Sequence, residues 1–149
     1  MSIFAGKTSL VTVAVLLLWN GSTVASPRTA CDLLPLDEVR SIVGAPVSIS
    51  DPGLSSPAVR GDLTIATCVY VVKDANGRSL TGQAAKLSLM WAPQAKLQET
   101  NDFYLKRHAE APGIKGDVLV LAWVGDPSSG KAGDWASSQK LLAAVLRKF

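Results

Sequence analysis

Histidine is almost absent from this sequence: His108 is the only one among 149 residues. Any Ser-His-Asp or Cys-His site would have to use it. No Gly-x-Ser-x-Gly elbow accompanies it, and its place late in an apolar-sided helix suits a packed or rim histidine. Cysteine is scarce too, with Cys31 and Cys68 alone. No Cys-x-x-Cys pair or histidine cluster exists to complete a metal site around them. An excess of one charge is also missing. The formal net charge is +3, too small to make an electrostatic case for nucleic acid. Arg147 and Lys148 do not form a polybasic patch and are read as complementing the C-terminal end of a helix dipole. No repeat or low-complexity tract divides the chain, and no cofactor is expected.

Long apolar runs are limited to one. From Leu10 to Trp19 the chain is apolar except for Thr12, well short of the roughly 20 residues that span a bilayer. Lys7 precedes this run, and Asn20, Gly21 and Ser22 follow it. That is the layout of a secretory signal peptide over residues 1–25, cut after Ala25 with Thr23 at the −3 position. A signal-anchor is the competing reading. Thr29-Ala30-Cys31 imitates the end of a lipobox, but Arg28 stands where an aliphatic residue belongs, so lipidation is rejected. After cleavage no stable membrane span is expected, and residues 26–149 are read as a single domain. The signal carries Lys7 and no acid, so the charge falls from +3 to +2.

In an oxidising compartment the two cysteines are most simply a Cys31–Cys68 disulfide, with two lone thiols in a catalytic or metal role the weaker reading. A first helix follows Pro35, with Asp37 and Glu38 at its positive end and Leu36, Val39, Ile42 and Val43 as its stripe. Gly44 and Pro46 stop it. Val47 to Ile49 suits a short strand, and residues 50–61 read as an exposed loop. Leu63 to Val72 is a strand with Cys68, Tyr70 and Val72 on one face. A turn at Asp74-Ala75-Asn76-Gly77 leads to a return strand set back to Lys86–Trp91. A second helix opens at Pro93 and presents Leu97, Tyr104 and Leu105, and Pro112-Gly113 ends that stretch. Val118 to Val124 is apolar on both faces, as a central strand should be. The last helix starts near Asp134 and is predicted to bury Trp135, Leu142, Val145, Leu146 and Phe149.

The sharpest motif is Gly125-Asp126-Pro127-Ser128-Ser129-Gly130-Lys131, which has phosphate-loop spacing between a strand and a helix. Ala132 replaces the metal-binding hydroxyl, Gly133 interrupts the junction, and no later strand supplies an acidic magnesium partner. A plain loop is the reading adopted. Asp37 and Glu38 are better explained by the helix dipole than by catalysis. Trp91, Trp123 and Trp135 are expected in the core. If Trp91 and Trp123 instead opened onto one surface with Tyr104, they would form an aromatic binding patch.

Cys31-Asp32-Leu33-Leu34, Glu38-Val39, Gly44-Ala45-Pro46-Val47 and Cys68-Val69-Tyr70 together resemble a known pattern. Small exported bacterial domains of unknown function, many of them actinobacterial lipoproteins, share Cys-x-Leu-Leu, Glu-Val, Gly-x-Pro-Val and Cys-x-Tyr. Lys115-Gly116-Asp117 before an apolar strand and a closing helix is similar too. These motifs are structural, so the resemblance implies fold and compartment and carries no catalytic residues. The sequence departs from the pattern between Pro112 and Lys115, where the family has a further strand.

The expectation is therefore an α+β domain: a mostly antiparallel sheet of three to five strands, flanked by three helices, with one disulfide. The function expected is a non-enzymatic binding module, periplasmic or secreted, whose partner is an unknown protein or small ligand of the cell envelope. An inhibitor or immunity protein acting on a secreted enzyme through residues 50–61 is the alternative. A small carboxylate-dependent hydrolase is the third reading.

Overall fold

The computed structural model describes residues 29–125 and 135–149. The segment read as an export signal, residues 126–131 of the phosphate-loop motif and Asp134, the expected start of the last helix, lie outside them. Helix α1 (Leu36–Val43) is followed by β1 (Val47–Ile49), β2 (Ala58–Arg60), β3 (Leu63–Lys73) and β4 (Ser79–Trp91). Then come α2 (Gln94–Arg107), β5 (Ala111–Lys115), β6 (Val118–Val124) and α3 (Trp135–Leu146). Two 3-10 turns, Ala30–Asp32 and Pro52–Ser55, complete the order. The α+β class holds, with three helices and an antiparallel sheet of six strands in the order β1-β3-β4-β6-β5, β2 also pairing with β3. That is one strand more than the upper expectation.

Helix α1 forms as its punctuation dictates. Gly44 takes φ 74°, and its N–H donates to the Arg40 carbonyl, closing the helix in the left-handed conformation that glycine tolerates. Val39 is fully buried, and Leu36, Ile42 and Val43 pack beside it.

Two strands form where none was expected: β2, described below, and β5. The latter contains Pro112 and Gly113, read above as breakers, and it occupies the stretch where the resemblance led us to expect a missing strand. Proline lacks an N–H and is tolerated where only one side of a strand is paired. Among the described residues β5 is such an edge, bonded to β6 alone, with Pro112 opposite Leu121. Gly113 also has a packing reason to be glycine. A Cβ there would lie 3.0 Å from Leu146 Cδ1 and 3.2 Å from Leu142 Cδ1, so its absence lets α3 seat closely on the strand.

Residues 50–61 are not a plain loop. β2 and β1 both pair with β3, covering the same edge in two instalments. Nine steps separate Ile49 from Ala58, but only five separate their partners Tyr70 and Ile65, so four residues loop out as the second 3-10 turn. Asp51 Oδ1 accepts from the Gly53 N–H to start that turn. The return strand β4 likewise begins at Ser79 rather than near Lys86. Asp74 Oδ1 accepts from the N–H groups of Asn76 and Arg78, and Gly77 takes φ 77°, which turns the chain at once. Backbone pairing needs no apolar side chains, so the polar start of β4 is still strand.

The sheet separates two apolar layers. On the first face, Ala66, Cys68, Tyr70 and Val72 of β3 join Leu87 and Leu89 of β4 and Val118, Val120, Ala122 and Val124 of β6. This layer is closed by the N-terminal 3-10 turn, α1 and α3. The second face holds a smaller cluster of Leu119 and Leu121 under Leu97 of α2. Two helix stripes differ from expectation. Leu105 of α2 is exposed, because α2 is seated through Leu97 and Tyr104. In α3 the buried residues are Ser138, Leu141, Ala144 and Val145, while Leu142 and Leu146 lie at the rim of the layer. Trp135 is only half-buried and Phe149 is exposed. The helix is turned so that small Ala144 meets the sheet and Ser138 Oγ accepts from the Val124 N–H at 3.0 Å.

Tyr70 gives this core a pH dependence. Its hydroxyl is buried without a hydrogen-bond partner, and burial pushes its pKa up to about 12. The native state then keeps a proton that the unfolded chain releases near pH 10, so stability falls as pH rises through this window. About 2–3 kcal/mol should be lost between pH 10 and 12. In Tyr70→Phe that component of the loss should vanish, while stability at pH 7 stays equal or rises slightly, because an unpaired polar group has been removed. Urea titrations at pH 8, 10 and 11.5 compare the two proteins; parallel pH curves would refute the assignment.

Candidate functional site

The disulfide expected of the two cysteines is present. Cys31 and Cys68 are bonded, with Cα atoms 5.0 Å apart. It ties the N-terminal 3-10 turn, whose neighbours Leu33 and Leu34 are buried, to the middle of β3. Its role is structural, since it lies under the closed first face.

The three aromatic residues considered as a patch are not brought together. Trp91 packs on the first-face layer. Tyr104 packs on the second-face cluster, and Trp123 shares the alternation of Leu119 and Leu121, so it points the same way as they do. Trp123 and Tyr104 therefore belong to the second face, and Trp91 to the opposite one.

The second face is where chemistry-bearing side chains are left uncovered. Helix α2 rests mainly on β5 and β6, and among the described residues no α-helix makes comparable contact with β3 and β4 on this side. The strip between carries Ile65, Thr67 and Val69 from β3 and Lys86 and Ser88 from β4, opposed in register. Thr67 Oγ1 and Ser88 Oγ share a hydrogen bond at 3.2 Å; Ser88 is buried, and the half-buried Thr67 hydroxyl keeps capacity for another bond. At one end Lys86 Nζ lies 2.6 Å from Glu110 Oε1, and Glu110 Oε2 is buried with no partner. This pair is partly withdrawn from water, where ionic attraction is less screened than at an open surface. Trp123 stands opposite Lys86 in the register.

Trp123 is held by a close backbone approach. A Cβ on Gly125 would run into the six-membered ring of Trp123, so the indole lies across the bare glycine two residues on. Gly125→Ala should therefore displace the ring, costing about 1–3 kcal/mol by overpacking. A changed Trp emission spectrum together with a lower denaturation midpoint would check this. An unchanged spectrum would mean the indole is placed by other contacts.

Two walls flank the strip. On one side, the second 3-10 turn and β2 enclose a cleft of about 280 Å³ against β3, lined by Leu54, Arg60, Ile65 and Thr67 among others. The other wall is a flank of α2. Lys96 reaches Asp62 at 4.0 Å, at the turn into β3, so this flank faces the strip. Thr100, Phe103 and Arg107 lie on the same flank by helical spacing. The Arg107 guanidinium sits 4.2 Å from the centroid of the Phe103 ring. A second cleft, about 310 Å³, lies between α1 and α3 on the far side. There Glu38 is engaged by Arg147 at 3.4 Å and Lys148 at 3.7 Å, while Asp37 pairs with Arg40 at 2.9 Å. Both helix-start carboxylates thus have surface partners.

His108 closes α2 with φ 49°, a left-handed conformation uncommon outside glycine. Its ring meets Trp135 edge-on at 4.7 Å, joining the end of α2 to the start of α3. Among the described residues no group of three His, Cys, Asp or Glu side chains is placed to hold a metal ion. Among them, too, no helix is long and apolar enough to cross a membrane.

Sequence reading passed over Lys86, Glu110, Arg60 and Phe103. One signal was available: Lys86 and Ser88 alternate with Leu87 and Leu89, and polar residues along one side of a strand mark a face that is not closed. Glu110 and Arg60 gave none, since their places depend on strands that form around a proline and within an apparent loop. Comparison with protein-family models, with curated proteins and with solved structures finds no match for this chain.

Proposed function

We propose that this protein is an exported, non-enzymatic binding module of the cell envelope or secreted space, which engages its partner over the uncovered strip of the second face. The observation that carries the reading is the asymmetry of the sheet. One face is closed by α1, α3 and the disulfide-tethered turn, and the other is left open between α2 and β2. A domain whose stability comes from one face is free to use the other for recognition. The disulfide is compatible with an oxidising compartment, and the export reading rests on the N-terminal sequence.

A second reading has an observation of its own. Leu54 and Val59 are 53% and 76% exposed on the segment first read as a loop, which suits an inhibitor or immunity protein that plugs a secreted enzyme. Photo-crosslinking separates the two. With a photoreactive residue at position 67, 59 or 140 in the exporting cell, the binding-module reading expects adducts from 67. Adducts from 59 alone would favour the inhibitor, and adducts from 140 alone would sink both.

A further inference from the structure

Resting on that reading, we infer that the strip takes an extended acidic segment of a partner polypeptide, and not a small molecule. The shape argues first. Small ligands are held by burying most of their surface in an enclosed pocket. Here the two clefts described above are about 310 and 280 Å³, and the second opens along the strip. An extended chain needs no enclosure. Its side chains repeat with period two, as do Ile65, Thr67 and Val69 along the floor. The cleft beneath Leu54 offers room for one apolar side chain, and the half-buried Thr67 hydroxyl offers a hydrogen bond to a backbone.

Charge argues second. The carboxylates bordering the strip, Asp62 and Glu110, are already engaged by Lys96 and Lys86. Arg60 on one wall and Arg107 on the other have no ion-pair partner among the described residues, and Phe103 holds the Arg107 guanidinium in place. Glu99, one turn before Phe103, reduces this excess without cancelling it. Arg60 lies beside Asp62 at the end of the strip that Lys96 reaches, and Arg107 lies about three turns further along α2. The two thus border an apolar and hydroxyl-bearing floor from opposite walls and opposite ends; such a border selects carboxylates above and aliphatic side chains below.

The test uses amide chemical shifts of the oxidised protein titrated with two synthetic peptides, acetyl-Glu-Val-Glu-Val-Glu-Val-amide and its lysine counterpart. The glutamate peptide should shift Arg60, Ile65, Thr67 and Val69 saturably, weaken as salt is raised, and bind at least about tenfold tighter than the lysine peptide. Arg60→Glu and Arg107→Glu should each weaken it by about 3–10-fold, with Arg60→Gln giving a smaller loss in the same direction. Both arginines are exposed, so an unchanged spectrum elsewhere confirms that the variants fold. Equal or tighter binding of the lysine peptide on these residues would overturn the acidic class while leaving a binding strip. No shift of the strip by either peptide, or stronger shifts of the same residues by phosphatidylglycerol vesicles, would overturn the polypeptide partner itself.

Discussion

Replacing Cys68 by serine should lower the stability of the protein by about 2–5 kcal/mol. The bridge closes a sequence separation of 37 residues, for which chain-entropy reasoning gives about 4 kcal/mol. The location adds to this. Cys68 is fully buried in the middle of β3, and the turn it anchors brings Ala30, Leu33 and Leu34 onto the first-face layer. Without the tether, that turn must be held by its apolar contacts alone. Serine at position 68 also puts a hydroxyl among apolar neighbours, whereas Cys31 is only partly buried. Cys31→Ser should therefore cost less than Cys68→Ser, and the excess measures the buried hydroxyl rather than the bridge. Denaturation of both variants, beside wild type with and without reductant, separates the terms. If reductant leaves the wild-type midpoint unchanged, the bridge contributes nothing and the attribution fails.

How much of this was legible beforehand depended on whether an element announces itself through local punctuation. Helix α1 did, because Pro35, Gly44 and Pro46 each restrict the backbone whatever surrounds them. β6 did, because only a strand buried on both faces carries Val118 to Val124 without a polar residue. β5 did not. Its Pro-Gly pair is a breaker by local rules, and it becomes strand only because one side is unpaired and α3 requires a residue without a side chain. The site was less legible still. Trp123 and Tyr104 could be named as aromatic, but the face each occupies follows from strand register, and Trp91 fell on the wrong one. Lys86 and Glu110 are 24 residues apart; nothing local brings them together, and their pairing is a product of β5 existing at all. The charge on the walls is similar, since Arg60 acquires its position only when β2 peels back onto β3.

The orientation of α3 supplies the sharpest remaining contrast. Sequence periodicity favoured Leu142 as the buried leucine, whereas the structure places Leu141 at 0% exposure and Leu142 at the rim against β5. Leu141→Ala should cost about 2–5 kcal/mol, through lost transfer energy plus a cavity that Ala144 and Val145, held by the sheet, cannot collapse to fill. Leu142→Ala removes a partly exposed side chain whose neighbours include the bare Gly113, so its cost should be clearly smaller, about 1–2 kcal/mol. Lys140→Ala should be nearly silent, within about 0.5 kcal/mol, because Lys140 is exposed. Chemical denaturation of the three variants under one condition gives the order. The two leucines are neighbours on the helix, so exchanging their rank would require a rotation of about 100°. Such a rotation would carry Ser138 away from Val124 and break the hydrogen bond that fixes the end of β6. A larger cost at Leu142 than at Leu141 would therefore refute the docking of α3 described here. It would also loosen the closed first face, from which the case for an open second face was built.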